Sequence, residues 1–290
     1  MSSAPKIWFI TGASTGFGRS MTEHLLNKGD IVIATLRKPS ALSDLSSKYP
    51  ATRLLVLKLD VTDQNDITAA FEKARTVYGR IDVVFNNAGV VLVSEIEGTS
   101  DEAARSNFEV NFWGAANVSK KAVEFFREVN KPKGGRLLQV TSGCGIKGHP
   151  GVAFYSASKF ALEGFSESLS KELDPRWDIK VTIIEPGAFR TNVNISSNTT
   201  EPVHPAYTDP SLESAKMRTF LAAGHALIDG DPDKAVAVIE KVVHLDDPPM
   251  RLPVHKGALA MLREKVRSMI ADANKYESWS DDVCVTGANA

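Results

Sequence analysis

Apolar and polar stretches alternate along the chain, dividing it into strand-like and helix-like segments in turn. Short runs rich in β-branched and aromatic residues, with Ile7-Trp8-Phe9-Ile10 the first, read as buried strands. The pattern predicts strands near 6–11, 31–36, 53–59, 81–86, 135–141, 179–184 and 251–254. It predicts helices near 17–28, 40–48, 64–78, 101–129, 154–174, 231–244 and 257–273. Some strands, such as Val181-Thr182-Ile183-Ile184, are near-continuously apolar, as expected when both faces are covered. Regular alternation of the two element types predicts an α/β fold: a doubly wound parallel sheet of about seven strands with helices on both faces. Ligands of such sheets bind beyond the carboxyl ends of the strands, and Asn86, Ser142 and Pro186 all follow strand ends.

The rhythm breaks between 192 and 230. The stretch from Asn192 to Pro205 is polar and proline-punctuated, and a helical pattern returns from about Ser211 to Ala223. A connection this long is usually functional or disordered. Residues 277–290 are polar and small and read as a loosely held tail.

Composition narrows the class. The chain has 290 residues, of which 43% are hydrophobic and 24% charged, enough for one sizeable core, so 1–290 is read as a single domain. A net charge of -1 gives no nucleic-acid footprint. No run of 18 apolar residues predicts a transmembrane helix, and Met1 to Lys6 lead into the first strand without a signal-peptide hydrophobic region, so a cytoplasmic location is expected. Two cysteines, Cys144 and Cys284, argue against a disulfide framework, and the six histidines show no metal-ligand spacing, so no metal is expected.

The chemistry concentrates in two places. After the first strand comes Thr11-Gly12-Ala13-Ser14-Thr15-Gly16-Phe17-Gly18, then a helical pattern that stops at Gly29. Strand, glycine turn and helix form the context of a dinucleotide site: glycines allow close backbone approach to a pyrophosphate, and the helix N-terminus offers unpaired N–H groups. The sheet is accordingly read as Rossmann-type. The second place is Tyr155 and Lys159, four apart on one helix face, with Ser142 upstream. A lysine beside the phenol is expected to lower the tyrosine pKa towards neutrality, giving a proton donor or acceptor with a serine hydroxyl to hold the reacting oxygen.

The G-x-x-x-G-x-G spacing, taken with Ser142, Tyr155 and Lys159, resembles the short-chain dehydrogenase/reductase family, whose pattern Thr-Gly-x-x-x-Gly-x-Gly fits Thr11 to Gly18. The resemblance runs through Asp60 and Val61 after the third strand, Asn86-Asn87-Ala88-Gly89 after the fourth, Asn111, and Pro186-Gly187 with Thr191. It implies cofactor contacts from the turn (Gly12, Ser14, Thr15, Gly16, Phe17, Gly18), from Asp60, Val61, Asn87, Ala88 and Gly89, and from Tyr155, Lys159, Pro186, Gly187 and Thr191. It also implies a catalytic set of Asn111, Ser142, Tyr155 and Lys159, in which Asn111 holds a water that links Lys159 to solvent. The segment 192–230 corresponds to the family's lid over the substrate, for which Tyr207, Met217, Phe220 and Leu221 offer apolar lining. Cys144, His149, Phe189 and Val193 are the candidate pocket residues. Family members often form dimers or tetramers through the two helices that carry Asn111 and Tyr155, so a homodimer or homotetramer is expected.

The second strand ends in Leu36 followed by Arg37, where NAD-selective folds carry a carboxylate for the ribose diol. A guanidinium there favours a 2′-phosphate, which selects NADP(H). The expected activity is reversible NADPH-dependent reduction of a ketone or aldehyde, on a moderately large apolar substrate. A non-enzymatic NADP(H)-sensing or scaffolding protein on the same fold stays open beside it. Epimerases with G-x-x-G-x-x-G fit the turn spacing less well, and a methyltransferase would have no use for the Tyr155–Lys159 pair.

Overall fold

The computed structural model describes residues 4–191 and 198–284. Its strands in chain order are β1 (Ile7–Thr11), β2 (Ile31–Leu36), β3 (Leu54–Lys58), β4 (Val83–Asn86), β5 (Val91–Val93), β6 (Gly135–Val140), β7 (Ile179–Pro186), β8 (Asn198–Thr200) and β9 (Arg251–Val254). The helices are α1 (Gly16–Lys28), α2 (Ser43–Lys48), α3 (Gln64–Tyr78), α4 (Asp101–Phe108), α5 (Ala115–Glu128), α6 (Ala153–Glu172), α7 (Glu213–Ala223), α8 (Pro232–Lys241) and α9 (Lys256–Tyr276). Seven strands form one parallel sheet in the order β3-β2-β1-β4-β6-β7-β9. The order reverses between β1 and β4, so the chain leaves these two neighbours in opposite directions and opens a crevice at their carboxyl ends.

Alternation along β1 divides its side chains between two cores. Trp8 and Ile10 face a layer that includes Met21 and Leu25 of α1 and Val236 and Ile239 of α8. Ile7 and Phe9 face the other layer, with Phe71 of α3 and Val118 and Phe126 of α5. Phe9 stacks on Phe71 with ring centres 4.3 Å apart. Full burial of side chains of this size contributes roughly 1.5–3 kcal/mol each. The buried Trp8 indole N–H donates to Asp30 at 3.1 Å, so its polar end is satisfied. Helix ends follow their local signals: Asp63 accepts from Asn65 N at 2.8 Å to cap α3, and Gly29 at φ 101 ends α1 where an L side chain would be strained.

The seven predicted strands are all present, and the differences lie elsewhere. The predicted helix 101–129 is three segments: α4, a π-helical stretch over Glu109–Gly114, and α5. The stretch packs where a Cβ on Gly114 would stand 2.8 Å from Val61 Cγ2, so the bulge is pressed directly on the strand-end loop. A second, two-stranded parallel sheet of β5 and β8 joins the loop after β4 to the region read as a long loop. That region, 192–230, also contains α7 within its described part. α9 runs past its predicted end at 273 to Tyr276, and Glu277–Ser280 form a single 3₁₀ turn within the predicted tail. Among the described residues, no helix is long and apolar enough to cross a membrane.

Candidate active site

The glycine turn between β1 and α1 faces the loop that follows β4. Gly12 (φ 67) and Gly16 (φ 54) have backbone conformations that L side chains rarely adopt, and a Cβ on Gly18 would stand 2.2 Å from Gly12 O. The turn is therefore tight enough for α1 to begin against it. Thr11 ties the two loops together: its hydroxyl accepts from Asn87 N at 2.9 Å and Ala88 N at 3.0 Å, and Asn87 Nδ2 donates to Thr11 O at 2.9 Å. Behind them the buried Asn86 donates to Ala115 O and Gln139 Oε1.

The crevice so formed is a cavity of about 140 Å³. Gly12, Ser14, Thr15, Gly16 and Phe17 supply one side, and Asn87, Ala88 and Gly89 another. Leu36, Arg37, Asp60 and Val61 close the end nearest β2 and β3. Leu36 is buried and Arg37 exposed. Asp60 is committed locally, accepting from Thr62 N at 3.0 Å and Thr62 Oγ1 at 2.8 Å. The first turn of α1 contains no acidic residue, so its positive dipole end is unopposed.

A second cavity, of about 300 Å³, adjoins the first, and the two share Phe17, Asn87, Gly89, Val90 and Thr191. Ser142, Tyr155 and Lys159 line it, as do Pro186 and Gly187. Ser142 follows β6 in extended conformation, and its Oγ accepts from Cys144 N at 3.1 Å. Lys159 is buried and its Nζ donates to Val140 O at 3.0 Å. Asn111, from the π-helical stretch, is fully buried; it accepts from Val90 N at 2.9 Å and donates to Val90 O at 2.8 Å. A Cβ on Gly89 would meet both Asn111 Oδ1 (3.1 Å) and Lys159 Nζ (3.3 Å), so these two polar groups flank the same small gap.

The remaining walls are apolar. Cys144, His149 and Phe189 all line the cavity, together with Met217, Phe220 and Leu221 from α7. Burial pushes the Cys144 thiol up and the His149 imidazole down from their ordinary values, which favours the neutral form of each. Phe189 packs edge-on to Phe17 with ring centres 5.0 Å apart, linking the two cavities. Tyr207 is not part of this wall, because its hydroxyl donates outward to Glu97 at 2.6 Å. Val193 lies outside the described residues.

The profile of the family described as short chain dehydrogenase matches residues 6–202. The chain belongs to that family. It is 37% identical over 276 residues to oxidoreductase calM of Penicillium decumbens, covering 93% of this chain and 90% of that protein. It is 36% identical over 273 residues to a 3-ketodihydrosphingosine reductase of Bacteroides thetaiotaomicron, covering 92% and 94%. A short-chain dehydrogenase from Streptomyces avermitilis superposes with a TM-score of 0.87 at 34% identity, over 98% of this chain and 100% of that one. The protein is thus an oxidoreductase of the short-chain dehydrogenase family, a family that works with a nicotinamide cofactor.

Lys159 does not draw the Tyr155 phenol towards neutrality. Burial pushes the phenol above its ordinary value, and the Ser142 hydroxyl opposes the rise. Lys159 Nζ lies 5.9 Å from the Tyr155 ring centre and donates one hydrogen bond to Val140 O, and its charge does not offset the burial of the phenol. Burial also lowers Lys159 itself to about 8. The phenol is therefore held in its protonated, proton-donating form.

Ile228, before α8, and Met261, on α9, also line the cavity and were not foreseen. Each is brought in by a long-range chain path and carries no local motif, so spacing along the sequence offered no signal for either.

Proposed function

We propose that this protein is an NADP(H)-dependent reductase that converts a moderately large apolar ketone or aldehyde to the alcohol, reversibly. The observation that carries the reading is the meeting of two cavities at Gly89, Val90 and Thr191, with Ser142, Tyr155 and Lys159 on the apolar side and the glycine turn on the other.

The residues present fit a dinucleotide. A Cβ on Gly12 would stand 3.0 Å from Ala88 Cα, and one on Gly16 3.2 Å from Thr191 Cβ, so the glycines keep open a cradle that side chains would fill. Ser14, Thr15 and the first N–H groups of α1 would hold the pyrophosphate. Arg37, beside the apolar Leu36, would hold a 2′-phosphate, and Asp60 and Val61 would border the adenine. Pro186, Gly187 and Thr191 would close over the nicotinamide, whose chemistry when bound is transfer of a hydride to the carbonyl carbon.

The chain's own residues do the rest. Tyr155, held protonated, gives its proton to the oxygen on which negative charge develops. Ser142 Oγ already accepts from Cys144 N, which leaves its own hydrogen to donate to that same oxygen. Lys159 spends one N–H on Val140 O and has others for the phenol and the ribose. Asn111 Oδ1 keeps a second lone pair beside Gly89, a position suited to a relay water that re-protonates the site. The apolar walls from α7, Ile228 and Met261 suit a hydrophobic carbonyl compound, and the ketone in the name of the Bacteroides relative supports that class.

The test is NADPH consumption, followed by absorbance, against a panel of long-chain ketones, aldehydes, steroids and retinoids, with NADH run in parallel. Carbonyl-dependent oxidation that prefers NADPH is the expected result. Tight NADPH binding with no turnover across the panel would replace this reading with that of a cofactor-sensing protein.

A further inference from the structure

Helix α9 leaves the body of the protein part-way along its length. Ala258 is buried and Met261 lines the apolar cavity, but every residue from Val266 to Tyr276 is exposed. A helix in water gains most of its stability from a covered apolar face rather than from propensity. α9 has such a face. Leu259, Leu262, Val266, Met269, Ala273 and Tyr276 recur at alternating steps of three and four, the a and d positions of a heptad. Val266 and Met269 are 44% and 59% exposed, and Ile270 beside them is 54% exposed. The body contacts α9 from a different side, through Met261, whose sulfur would stand 3.1 Å from a Cβ on Gly143, and through the Lys147–Glu264 ion pair at 2.8 Å.

We propose that this face pairs with α9 of a second copy of the chain, antiparallel, about a twofold axis between Arg267 and Ser268. The core layers then join Leu259 to Tyr276, Leu262 to Ala273 and Val266 to Met269, each twice by symmetry. Charge selects this arrangement. In an antiparallel pair, g positions flank g and e positions flank e, so Lys265 meets Asp272 and Lys256 meets Glu277 of the second copy. A parallel pair would set Asp272 against Glu277 and leave Lys265 over Ile270. Like charges at those positions oppose pairing, whereas opposite charges direct it. Because each body holds only the first half of its α9, the two bodies lie at opposite ends of the helix pair. This contact is distinct from one through the helices that carry Asn111 and Tyr155, and it does not depend on the activity proposed above.

The test is the mass of the full-length protein at micromolar concentration, by light scattering and sedimentation, under reducing conditions because the free Cys284 thiol is exposed. Val266→Asp/Met269→Asp alters exposed positions only, and circular dichroism would verify that the fold is kept. That variant is expected to halve the mass of the wild-type assembly. Lys265→Asp should weaken association about tenfold or more, as two attractive pairs become repulsive. The reversed pair Lys265→Asp/Asp272→Lys should restore it. A mass unchanged by the Val266/Met269 variant, or no recovery in the reversed pair, overturns the proposal. So does a monomeric wild type that floats with phosphatidylserine vesicles, which would assign the face to a lipid surface.

Discussion

Arg251 Nε stands 3.4 Å from Glu185 Oε1, and the same guanidinium reaches Glu163 at 3.2 Å and Glu167 at 3.3 Å. Glu185 and Glu163 are both buried. They sit directly behind the candidate active site: Glu185 precedes Pro186, and Glu163 lies one turn beyond Lys159 and accepts from Thr141 Oγ1 at 2.5 Å. Glu167 is also paired with Lys171 at 2.8 Å, but Glu185 has only a share of Arg251, so burial and the neighbouring Glu163 push it up to about 7.

That shift makes stability depend on pH. An acid whose pKa is higher in the folded state than in the unfolded state stabilises the fold fully below its unfolded value. The stabilisation is lost as pH rises through the folded value. Stability is therefore expected to fall as pH rises between about 4.5 and 7. Glu185→Gln removes the titrating group and keeps the shape. Thermal unfolding at a series of pH values should show a flatter profile for the variant. Equal slopes for the two proteins would mean that Glu185 does not titrate in this range.

Tyr155→Phe removes the acid and leaves in place the glycine turn, Arg37 and the loop after β4 that line the crevice. Turnover should fall by about 100- to 10,000-fold, the usual contribution of a positioned acid. NADPH affinity, read by fluorescence titration, should stay nearly unchanged. Retained turnover would remove Tyr155 from the mechanism.

The features legible in the sequence were those fixed by local spacing. The glycine turn, the Tyr155–Lys159 step on α6 and the apolar strands each state their geometry within a few residues. The π-helical stretch that seats Asn111 does not, because its ladder is set by the packing of Gly114 on Val61, some fifty residues away in the chain. The direction of the Tyr155 shift is not legible in local spacing for a related reason. A four-residue step puts Lys159 on the correct face, but the burial that raises the phenol comes from cavity walls on other elements. β5 and β8 have three residues each, too few for a periodicity, and only their pairing defines them.

Cofactor preference should rest on Arg37. A hydrogen bond to a charged group contributes roughly 1.5–3 kcal/mol net, so Arg37→Ala should raise the KM for NADPH by about ten- to a hundredfold. The KM for NADH should change little, because the side chain would address only the 2′-phosphate. Steady-state kinetics with both cofactors separates the cases: a parallel rise for both would point to damage of the whole crevice rather than lost phosphate recognition.

Arg218 fixes the apolar wall. Its Nε donates to Glu95 Oε1 at 2.8 Å and its Nη2 to Glu95 Oε2 at 2.7 Å, while Nη1 reaches Glu201 O at 2.9 Å. The pair joins α7 to the end of β5, and Arg218 directly follows Met217, a residue of the cavity wall. The guanidinium holds the Glu95 carboxyl at about 2, so this contribution is present above the ordinary carboxylate range and lost as pH falls through that value. Removing one partner of a buried pair typically costs about 3–5 kcal/mol, because the other charge is left uncompensated. Much of that cost can be escaped if α7 swings away and lets water reach Glu95. Arg218→Ala is therefore expected to loosen α7 without unfolding the sheet. Hydrogen exchange should accelerate over 213–223 and stay near wild type in β1 and β4. KM for the carbonyl substrate should rise more than kcat falls, since Met217 and Leu221 are withdrawn while Ser142 and Tyr155 stay in place. A loss confined to kcat, with α7 still protected, would show that the pair does not hold the wall.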